Sequence, residues 1–500
     1  MLHSLSTTDF TNLWSGSSWI ILTIILFVSR WAFSKFNASD AEKGPRQVGH
    51  TIPFIGHALT MAKDKKTFFM NALKENKYQP FWILVAGRRH YIFSDLTDAG
   101  AIHKNENDIS IRNIKSFLYT QVFGVSKPDA DLIWDVNKEA YSVDRRWLLG
   151  REEQDKITSQ YFRHVDHHMN GLTRRILQSD GKEISVDGLL TVVYLEGTST
   201  IQTFYGDTTL RKHPQILEDM IYVVTKGFKP ILFGVPRVLA PKPYAARDRI
   251  ILAFAELAEE LDQRDDVSGY FQERYTYINS RGVSRKAIGA DMFRHLFASL
   301  LNSLPTTYLA VLHILQSEEL IRAIRLELTT AGYNNISPEQ RVEVLPEKTP
   351  LLRSVWFETL RMHNNLITLR NVDRETNIAT RPEWTLPKGA VVSVPAVLIH
   401  YNETLHPEPD VFQPTRFLDR SMGGKGENAG RTLKPFGGGS SYCPGRVFGE
   451  KQLMGFVAEL VMRFDVELVE EEFAVPPVSD FDDLWKQPRS HWKLKQKVQN

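Results

Sequence analysis

Hydrophobic positions recur at helical spacing over most of the chain and at strand spacing over only two short stretches. The helical period predicts amphipathic helices at about residues 184–206, 214–228, 243–264 and 286–317, with a last helix after Cys443. Strand-like runs are confined to 81–95 (FWILVAGRRHYIFSD), which indicates a hairpin around Gly-Arg-Arg, and to 377–395. The pattern predicts a mainly α fold with small β-sheets (α+β).

A further apolar stretch lies near the N-terminus, from Leu13 to Phe33, and Arg30 is its only charged residue. As a helix it would be about 30 Å long, enough to cross the hydrocarbon core of a bilayer. Basic residues follow this stretch instead of preceding it, unlike in a secretory signal. We predict a transmembrane anchor over 1–34, a linker over 35–52 and a cytosolic catalytic domain over 53–500; a cleaved signal and a buried N-terminal helix are the alternatives.

Residues 230–241, PILFGVPRVLAP, form an apolar segment with three prolines between two predicted helices. A solvated loop is normally polar. Beside a membrane-anchored domain, an apolar loop of this kind either dips into the lipid as a substrate door or packs on the core.

Composition and charge narrow the class of protein. Hydrophobic residues make up 42% and charged residues 24%, as in a globular chain. The 61 basic and 59 acidic residues leave a net charge of +2, so no electrostatic footprint for nucleic acid is present. The single cysteine excludes an intramolecular disulfide and a zinc site built from several thiolates.

That cysteine, Cys443, lies in the segment PFGGGSSYCPGRVFGE. Pro444 favours the first position of a helix, which predicts Cys443 as the helix cap, in an environment that stabilises a thiolate. The run Gly437–Gly439 removes side chains, so that the backbone can approach a large flat group such as a porphyrin. A nucleophilic cysteine with a histidine base and a bland buried thiol are the alternatives.

The segment PFGGGSSYCPGR resembles the haem-binding loop of the cytochromes P-450, F-x-x-G-x-R-x-C-x-G. Phe436, Gly439, Cys443 and Gly445 match this pattern, whereas Ser441 stands where the family usually has Arg or His. The resemblance implies the cytochrome P-450 fold and a haem b cofactor whose iron is bound by the Cys443 thiolate.

Upstream segments add to the resemblance. WFETLRMHNN contains the family's E-x-x-R pair, Glu358 and Arg361, which share one helical face, and VFQPTRFL offers Arg416 as their third member. The resemblance implies a structural triad behind the haem, against the alternative of a solvated surface bridge.

Contacts to the haem propionates are implied in two further places. Arg370, in LITLRNV, matches an arginine that reaches a propionate in the family. The family's W-x-x-x-R pair has two candidates on an early helix: Trp147 with Arg151, or Lys156 in place of Arg151.

The helix predicted at 286–317 departs from the family. Most monooxygenases carry an acid followed by a threonine here, but this chain has Leu301 and Asn302. Pro305 frees the Leu301 carbonyl, which with the Asn302 amide could hold a water for proton delivery. Thr306 and Thr307 are alternative hydroxyl sources. A satisfied core amide is the bland interpretation of Asn302.

With this departure, the chain resembles the branch of the family that includes sterol and oxysterol hydroxylases and prostacyclin synthase. It also resembles fungal enzymes of secondary metabolism. The resemblance implies a single-pass endoplasmic-reticulum monooxygenase that hydroxylates a hydrophobic small molecule such as a terpenoid, sterol or polyketide. Its implied partners are dioxygen, NADPH–cytochrome P-450 reductase, cytochrome b5 and the bilayer. A haem-thiolate isomerase or dehydratase acting on a peroxide, and a non-catalytic haem or sterol binder, are the alternatives.

Overall fold

A computed structural model of the chain describes residues 44–50, 54–364, 366–419, 426, 428–469, 475, 485 and 489–497. The predicted anchor, 1–34, and most of the predicted linker lie outside the described residues. The helices are α1 Ala58–Lys63, α2 Lys65–Glu75, α3 Leu96–Lys104, α4 Arg112–Gln121, α5 Lys127–Leu149, α6 Arg151–Gln178, α7 Gly188–Tyr205, α8 Asp207–Lys212, α9 Ile216–Tyr222, α10 Phe228–Leu232, α11 Pro241–Glu260, α12 Gly269–Ser280, α13 Arg285–Leu315, α14 Glu318–Thr330, α15 Pro350–His363, α16 Ala396–His400, α17 Ala429–Thr432 and α18 Arg446–Arg463. The strands are β1 Arg46–Gln47, β2 Phe81–Val85, β3 Arg88–Ile92, β4 Ile109–Ser110, β5 Glu183–Asp187, β6 Ile367–Val372, β7 Thr376–Ile378, β8 Arg381–Leu386, β9 Val391–Pro395, β10 Phe464–Leu468 and β11 His491–Gln496.

The chain divides into two compact units, and the first takes the residues up to Ser110 together with Leu369–Pro395. Its main sheet has the strand order β1-β2-β3-β9-β6-β4, and β7 pairs with β8 in a separate hairpin. The hairpin predicted at 81–95 is confirmed as β2 and β3, which pair in antiparallel register from Phe81 with Ile92 to Val85 with Arg88. Its turn is Ala86-Gly87, both at positive φ, and the two arginines belong to β3.

The second unit comprises Ile111–Thr368 and Ala396–Asn500 and is mostly helical. The long helix α13 packs against α7, α11, α15 and α18. Two of the helix contacts are close enough to require glycine: a Cβ on Gly289 of α13 would strike the α11 backbone, and one on Gly455 of α18 would strike the Phe162 ring of α6. The second contact sets how closely α18, the helix that follows Cys443, approaches α6.

The predicted helices are present, with shifted ends. The segments at 243–264 and 286–317 are α11 and α13. The segment at 214–228 is α9, continued by a π-helical turn at Val223–Gly227. The helix predicted from residue 184 begins only at Gly188, because residues 183–187 form β5.

The prediction that strands are confined to two stretches was wrong. β10, β11 and β5 form a sheet that joins segments far apart in the chain, with Trp492 opposite Val186 and Leu468. Each strand is short, and none pairs with its neighbour across a tight turn, so no local hairpin signal marks the sheet.

The apolar segment 230–241 is short helix and turn rather than core. Phe233, Val238 and Leu239 have exposed fractions of 77%, 85% and 74%, whereas Ile231 is buried. The alternative prediction, in which the whole segment packs on the core, is therefore wrong. Within the described part of the chain, one helix has the length and mean hydropathy to cross a membrane, α13, and more than half of its most apolar window is buried inside the protein.

Candidate functional site

The only cysteine of the chain lies in a closed turn before α18. The Cys443 N–H donates to the Phe436 carbonyl at 3.1 Å, and Arg446 Nη1 donates to the Cys443 carbonyl at 2.9 Å. Gly437 and Gly439 have φ of 74° and 64°, in the left-handed region that favours glycine. The turn thus presents the thiol beside backbone that carries no side chains.

Two expectations about Cys443 need correction. The helix begins at Arg446 with Gly445 as its cap, so Cys443 and Pro444 belong to the preceding turn. Burial raises the pKa of the thiol and outweighs the Gly445 N–H and the Arg446 charge, which lower it. The turn by itself therefore does not stabilise a thiolate, although a bound metal cation deprotonates a coordinating thiol outright.

Neighbouring segments fix the approach to this turn. The Asn364 side-chain amide donates to the Pro435 carbonyl at 3.2 Å, and the Lys434 N–H donates to His400 Nε2 at 3.0 Å. The end of α15 and the end of α16 therefore both hold the segment that leads into the glycines.

Glu358, Arg361 and Arg416 form a fully buried ionic cluster. Both Glu358 oxygens accept from Arg361 at 2.8 Å and from Arg416 Nε at 3.0 and 3.1 Å. Glu358 also accepts from the Gln413 N–H at 2.9 Å. The solvated-bridge alternative is excluded, because all three side chains are removed from water; what the cluster does for a cofactor stays a prediction.

The predicted distal residues share the open side of α13. Asn302 is exposed and Leu301 and Thr306 are half-buried, on a helix whose other faces are packed in the core. Pro305 lies inside the helix, so the Leu301 carbonyl lacks its usual donor four residues on. The Thr306 hydroxyl donates to the Asn302 carbonyl at 2.7 Å, whereas Thr307 is buried on another face.

The early-helix candidates have other partners. Trp147 Nε1 donates to Glu273 at 2.9 Å, and exposed Lys156 pairs with Glu152 at 3.1 Å and Glu153 at 3.0 Å. Arg151 is exposed at the first position of α6.

A cationic cluster that the sequence analysis missed lies one helix earlier. On α5 the Trp134 ring has three cations around it: Arg112 at 6.0 Å, Lys115 at 5.4 Å and Lys138 at 5.6 Å from its centroid. The buried Trp134 Nε1 has no hydrogen-bond partner among the described residues. Trp134 and Lys138 have the same spacing as Trp147 and Arg151, which was the available signal.

Arg370 belongs to the first unit, in β6, and is 2% exposed. Burial lowers its pKa, and the Glu106 charge opposes this effect. A buried guanidinium that is destabilised in this way gains from a further anion. Its predicted contact with a propionate stays a prediction.

The comparison with protein families settles the class of this chain. The family model described as cytochrome P-450 matches residues 46–493. The chain belongs to the cytochrome P-450 family. A cytochrome P-450 monooxygenase of Penicillium oxalicum, poxD, is 46% identical over 91% of this chain and 94% of its own length. The chain is an enzyme of this monooxygenase family.

More distant relatives agree with the branch that the Asn-Pro departure indicates. A 7-alpha-hydroxycholest-4-en-3-one 12-alpha-hydroxylase of Oryctolagus cuniculus is 25% identical over 86% of this chain and 87% of its own length. Prostacyclin synthase of Rattus norvegicus is 24% identical over 85% of this chain and 88% of its own length. The resemblance to cytochromes P-450, fungal members included, is confirmed.

Family membership implies a haem with a thiolate-bound iron, and the residues of the second unit fit such a group. Cys443 is a soft single ligand of the kind that such iron takes. Gly437 and Gly439 bring no side chain to the approach of a flat ring. The unpartnered Trp134 N–H among three cations suits a carboxylate.

Proposed function

We propose that this cytochrome P-450 is a membrane-bound haem-thiolate monooxygenase that hydroxylates a hydrophobic small molecule with dioxygen and electrons from NADPH. The observation that carries the proposal is Cys443, the single thiol of the chain, held at the glycine turn in front of α18. The 46% identity with a fungal monooxygenase supports the reaction type.

Several residues would hold the cofactor. Cys443 would bind the iron, with Phe436, Gly439 and Gly445 shaping the turn. Trp134, with Arg112, Lys115 and Lys138, is our candidate for one propionate, in place of Trp147, Arg151 and Lys156, and Arg370 remains the candidate for the other. When bound, a thiolate-ligated haem iron activates dioxygen for insertion of one oxygen atom into a C–H bond.

The distal residues of α13 would control protons at that reaction. The Asn302 side-chain amide can both donate and accept, and the Leu301 carbonyl next to it accepts. Together they can hold a water molecule at the open side of the helix. The Thr306 hydroxyl donates to the Asn302 carbonyl, so it would steady this turn of the helix instead of moving the proton itself.

The exposed apolar side chains of 230–241 support contact with lipid and entry of an apolar substrate from the membrane. A terpenoid, sterol or polyketide would suit this route, and a role in secondary metabolism follows the fungal relative. We place the enzyme on the endoplasmic reticulum membrane, with NADPH–cytochrome P-450 reductase as electron donor and cytochrome b5 as a second donor.

The test is expression in microsomes with the reductase, supplied with a lipophilic extract of host metabolites under isotope-labelled dioxygen. A product that carries the label, requires NADPH and is lost in Cys443→Ser supports the proposal. Cys443→Ser controls for background enzymes of the microsomes. Absence of any labelled product in the parent protein overturns it.

A second candidate is a haem-thiolate isomerase or dehydratase that rearranges a peroxide without reductase. The observation that favours it is Leu301 and Asn302 in place of the usual acid and threonine, together with the similarity to prostacyclin synthase. A Cys443-dependent product formed without label and without NADPH would decide for this candidate.

A further inference from the structure

One buried acid has no part in the site described above. Glu196 is the only charged residue within α7, and its side chain is completely removed from solvent. Neither carboxyl oxygen has a hydrogen-bond partner among the described residues. An isolated carboxylate in such a place is costly, so the group is favoured in its neutral, protonated form.

The helix that Glu196 faces is α13. The hydroxyls of Thr307 and Ser303 are close enough to stabilise its charged form, and the Thr307 hydroxyl also has no partner among the described residues. Ser303 donates to the Ser299 carbonyl at 2.6 Å, which leaves its oxygen able to accept a proton. Ser303 directly follows the exposed Asn302 on α13 and is half-buried.

The charge state of Glu196 follows from this setting. Burial raises its pKa to about 8, and the nearby Thr307 and Ser303 hydroxyls oppose that shift only in part. The acid is therefore neutral at physiological pH and releases its proton just above it.

Several titratable groups on the elements around α7 have partners of their own, whereas Tyr161 of α6 has a buried hydroxyl that lacks a partner in the described residues and interacts electrostatically with Glu196. The paired groups are His168 with Gln202, Asp219 with Arg249, Arg274 with Asp144, Asp291 with Arg294, His295 with Tyr275, Lys451 with Asp155, Glu459 with Arg463, and Arg341 with Glu459. His164 lies near Asp207, and burial lowers its pKa to about 4, which leaves it neutral.

We propose that Glu196 is the acid that supplies protons to α13, through the hydroxyls of Ser303 and Thr307, toward Asn302. The usual acid of this helix is replaced by Leu301, and Glu196 would act from the neighbouring helix in its place. This role rests on the proposed monooxygenase function. In that reaction, substrate, dioxygen, NADPH and a proton are converted into hydroxylated product, water and NADP⁺.

The proton step is a relay between oxygen atoms. The carboxyl O–H of Glu196 breaks as the Ser303 hydroxyl oxygen takes up that proton, and the Ser303 O–H that donates to the Ser299 carbonyl turns away and gives its own proton to the water held at Asn302. The carboxylate then regains a proton from solvent along the same Ser303 hydroxyl, because its own side chain does not contact solvent. Glu196 is a positioning and proton-holding residue in this scheme, since it acts through Ser303.

The experiment compares the full-length holoprotein with Glu196→Gln, which keeps the shape but has no acidic proton, and with Glu196→Asp, which keeps the acid. Thr203→Val is the matched control, because Thr203 is equally buried on α7 and its hydroxyl only donates to the Ser199 carbonyl. Two quantities are measured in lipid vesicles with the reductase: the infrared C=O band of a protonated carboxyl, and the share of NADPH oxidised that appears as hydrogen peroxide.

We expect the parent, Glu196→Asp and Thr203→Val to show the infrared band at pH 7 and to lose coupling as the pH rises through about 8. Glu196→Gln should lose the band, release several-fold more peroxide and have a flat pH profile. A band that persists in Glu196→Gln overturns the protonated acid, and loss of the band with peroxide release and pH profile unchanged overturns proton delivery. If the parent oxidises no NADPH, the proposed monooxygenase function is refuted, and proton delivery by Glu196 is refuted with it. The infrared band then still tests whether Glu196 is protonated.

Discussion

Replacing Glu358 by alanine is the sharpest test of the buried ionic cluster. The carboxylate accepts four guanidinium N–H contacts from Arg361 and Arg416 and one backbone N–H from Gln413. Its removal leaves two neighbouring guanidinium groups fully buried without the carboxylate that both of them contact. We expect the variant to lose its haem and to expose the segment around Gln413.

The size of the destabilisation follows from the hydrogen bonds that the two arginines keep in the variant. Arg361 still donates to the carbonyls of His400 and Pro409, at 3.1 and 2.7 Å, and Arg416 to that of Pro407 at 2.8 Å. These bonds solvate the guanidinium groups but do not neutralise them. Breaking a buried ion pair on one side costs about 3–5 kcal/mol, a large part of the roughly 5–15 kcal/mol that stabilises a domain.

The assay is haem stoichiometry together with hydrogen exchange at the Gln413 amide, whose acceptor is Glu358 itself. Arg322→Ala is the control, because Arg322 belongs to exposed ion pairs with Glu318 and Glu319, both at 3.5 Å. An exposed pair contributes about 0–1 kcal/mol, so this variant should keep its haem. Full haem content and unchanged Gln413 protection in Glu358→Ala would refute the reasoning.

Three further predictions concern the site and the buried acid. Asn302→Ala should raise peroxide release at the expense of product, and unchanged coupling would count against a proton role for Asn302. Trp134→Phe should weaken haem binding about tenfold, the equivalent of one hydrogen bond of about 1.4 kcal/mol, with little loss of folding stability. Its control, Trp147→Phe, breaks the Glu273 contact and should lower folding stability while haem binding is kept. Haem loss in that control would contradict the assignment. The pKa of Glu196 is about 8 in the folded protein against 4.5 in the unfolded chain, so between these values the folded protein binds the proton and the unfolded chain does not. The free energy of unfolding of the parent should therefore fall relative to that of Glu196→Gln by about 1.4 kcal/mol per pH unit between pH 5 and 8. Parallel curves of unfolding free energy against pH would exclude a raised pKa.

The long helices and the 81–95 hairpin were predictable from the sequence, because their hydrophobic periods are local. The sheet of β5, β10 and β11 was not, since its strands are short and its β5–β11 pairs join residues about three hundred positions apart. The same limit applies to the division into two units, in which Leu369–Pro395 joins the N-terminal part of the chain.

At the site, the residues with a family motif could be named from their spacing. Cys443 stands alone in composition, and Glu358 and Arg361 lie on one helical face whatever surrounds them. Trp134 was missed because Trp147 offered the same spacing to a basic residue. Only the packing shows that Trp147 contacts Glu273 while three cations lie around Trp134.

The sequence alone determined the family, the one candidate thiolate and the departure at Leu301 and Asn302, because each is a matter of residue identity and local spacing. The tertiary structure decided what no spacing shows: burial, and the partner of each polar group. It moved the start of α18 beyond Cys443, showed that burial raises the thiol pKa, and set Glu196 against α13 with no hydrogen-bond partner in the part of the chain that the structure describes. Desolvation depends on everything packed around a group, and that is known only once distant segments of the chain have come together.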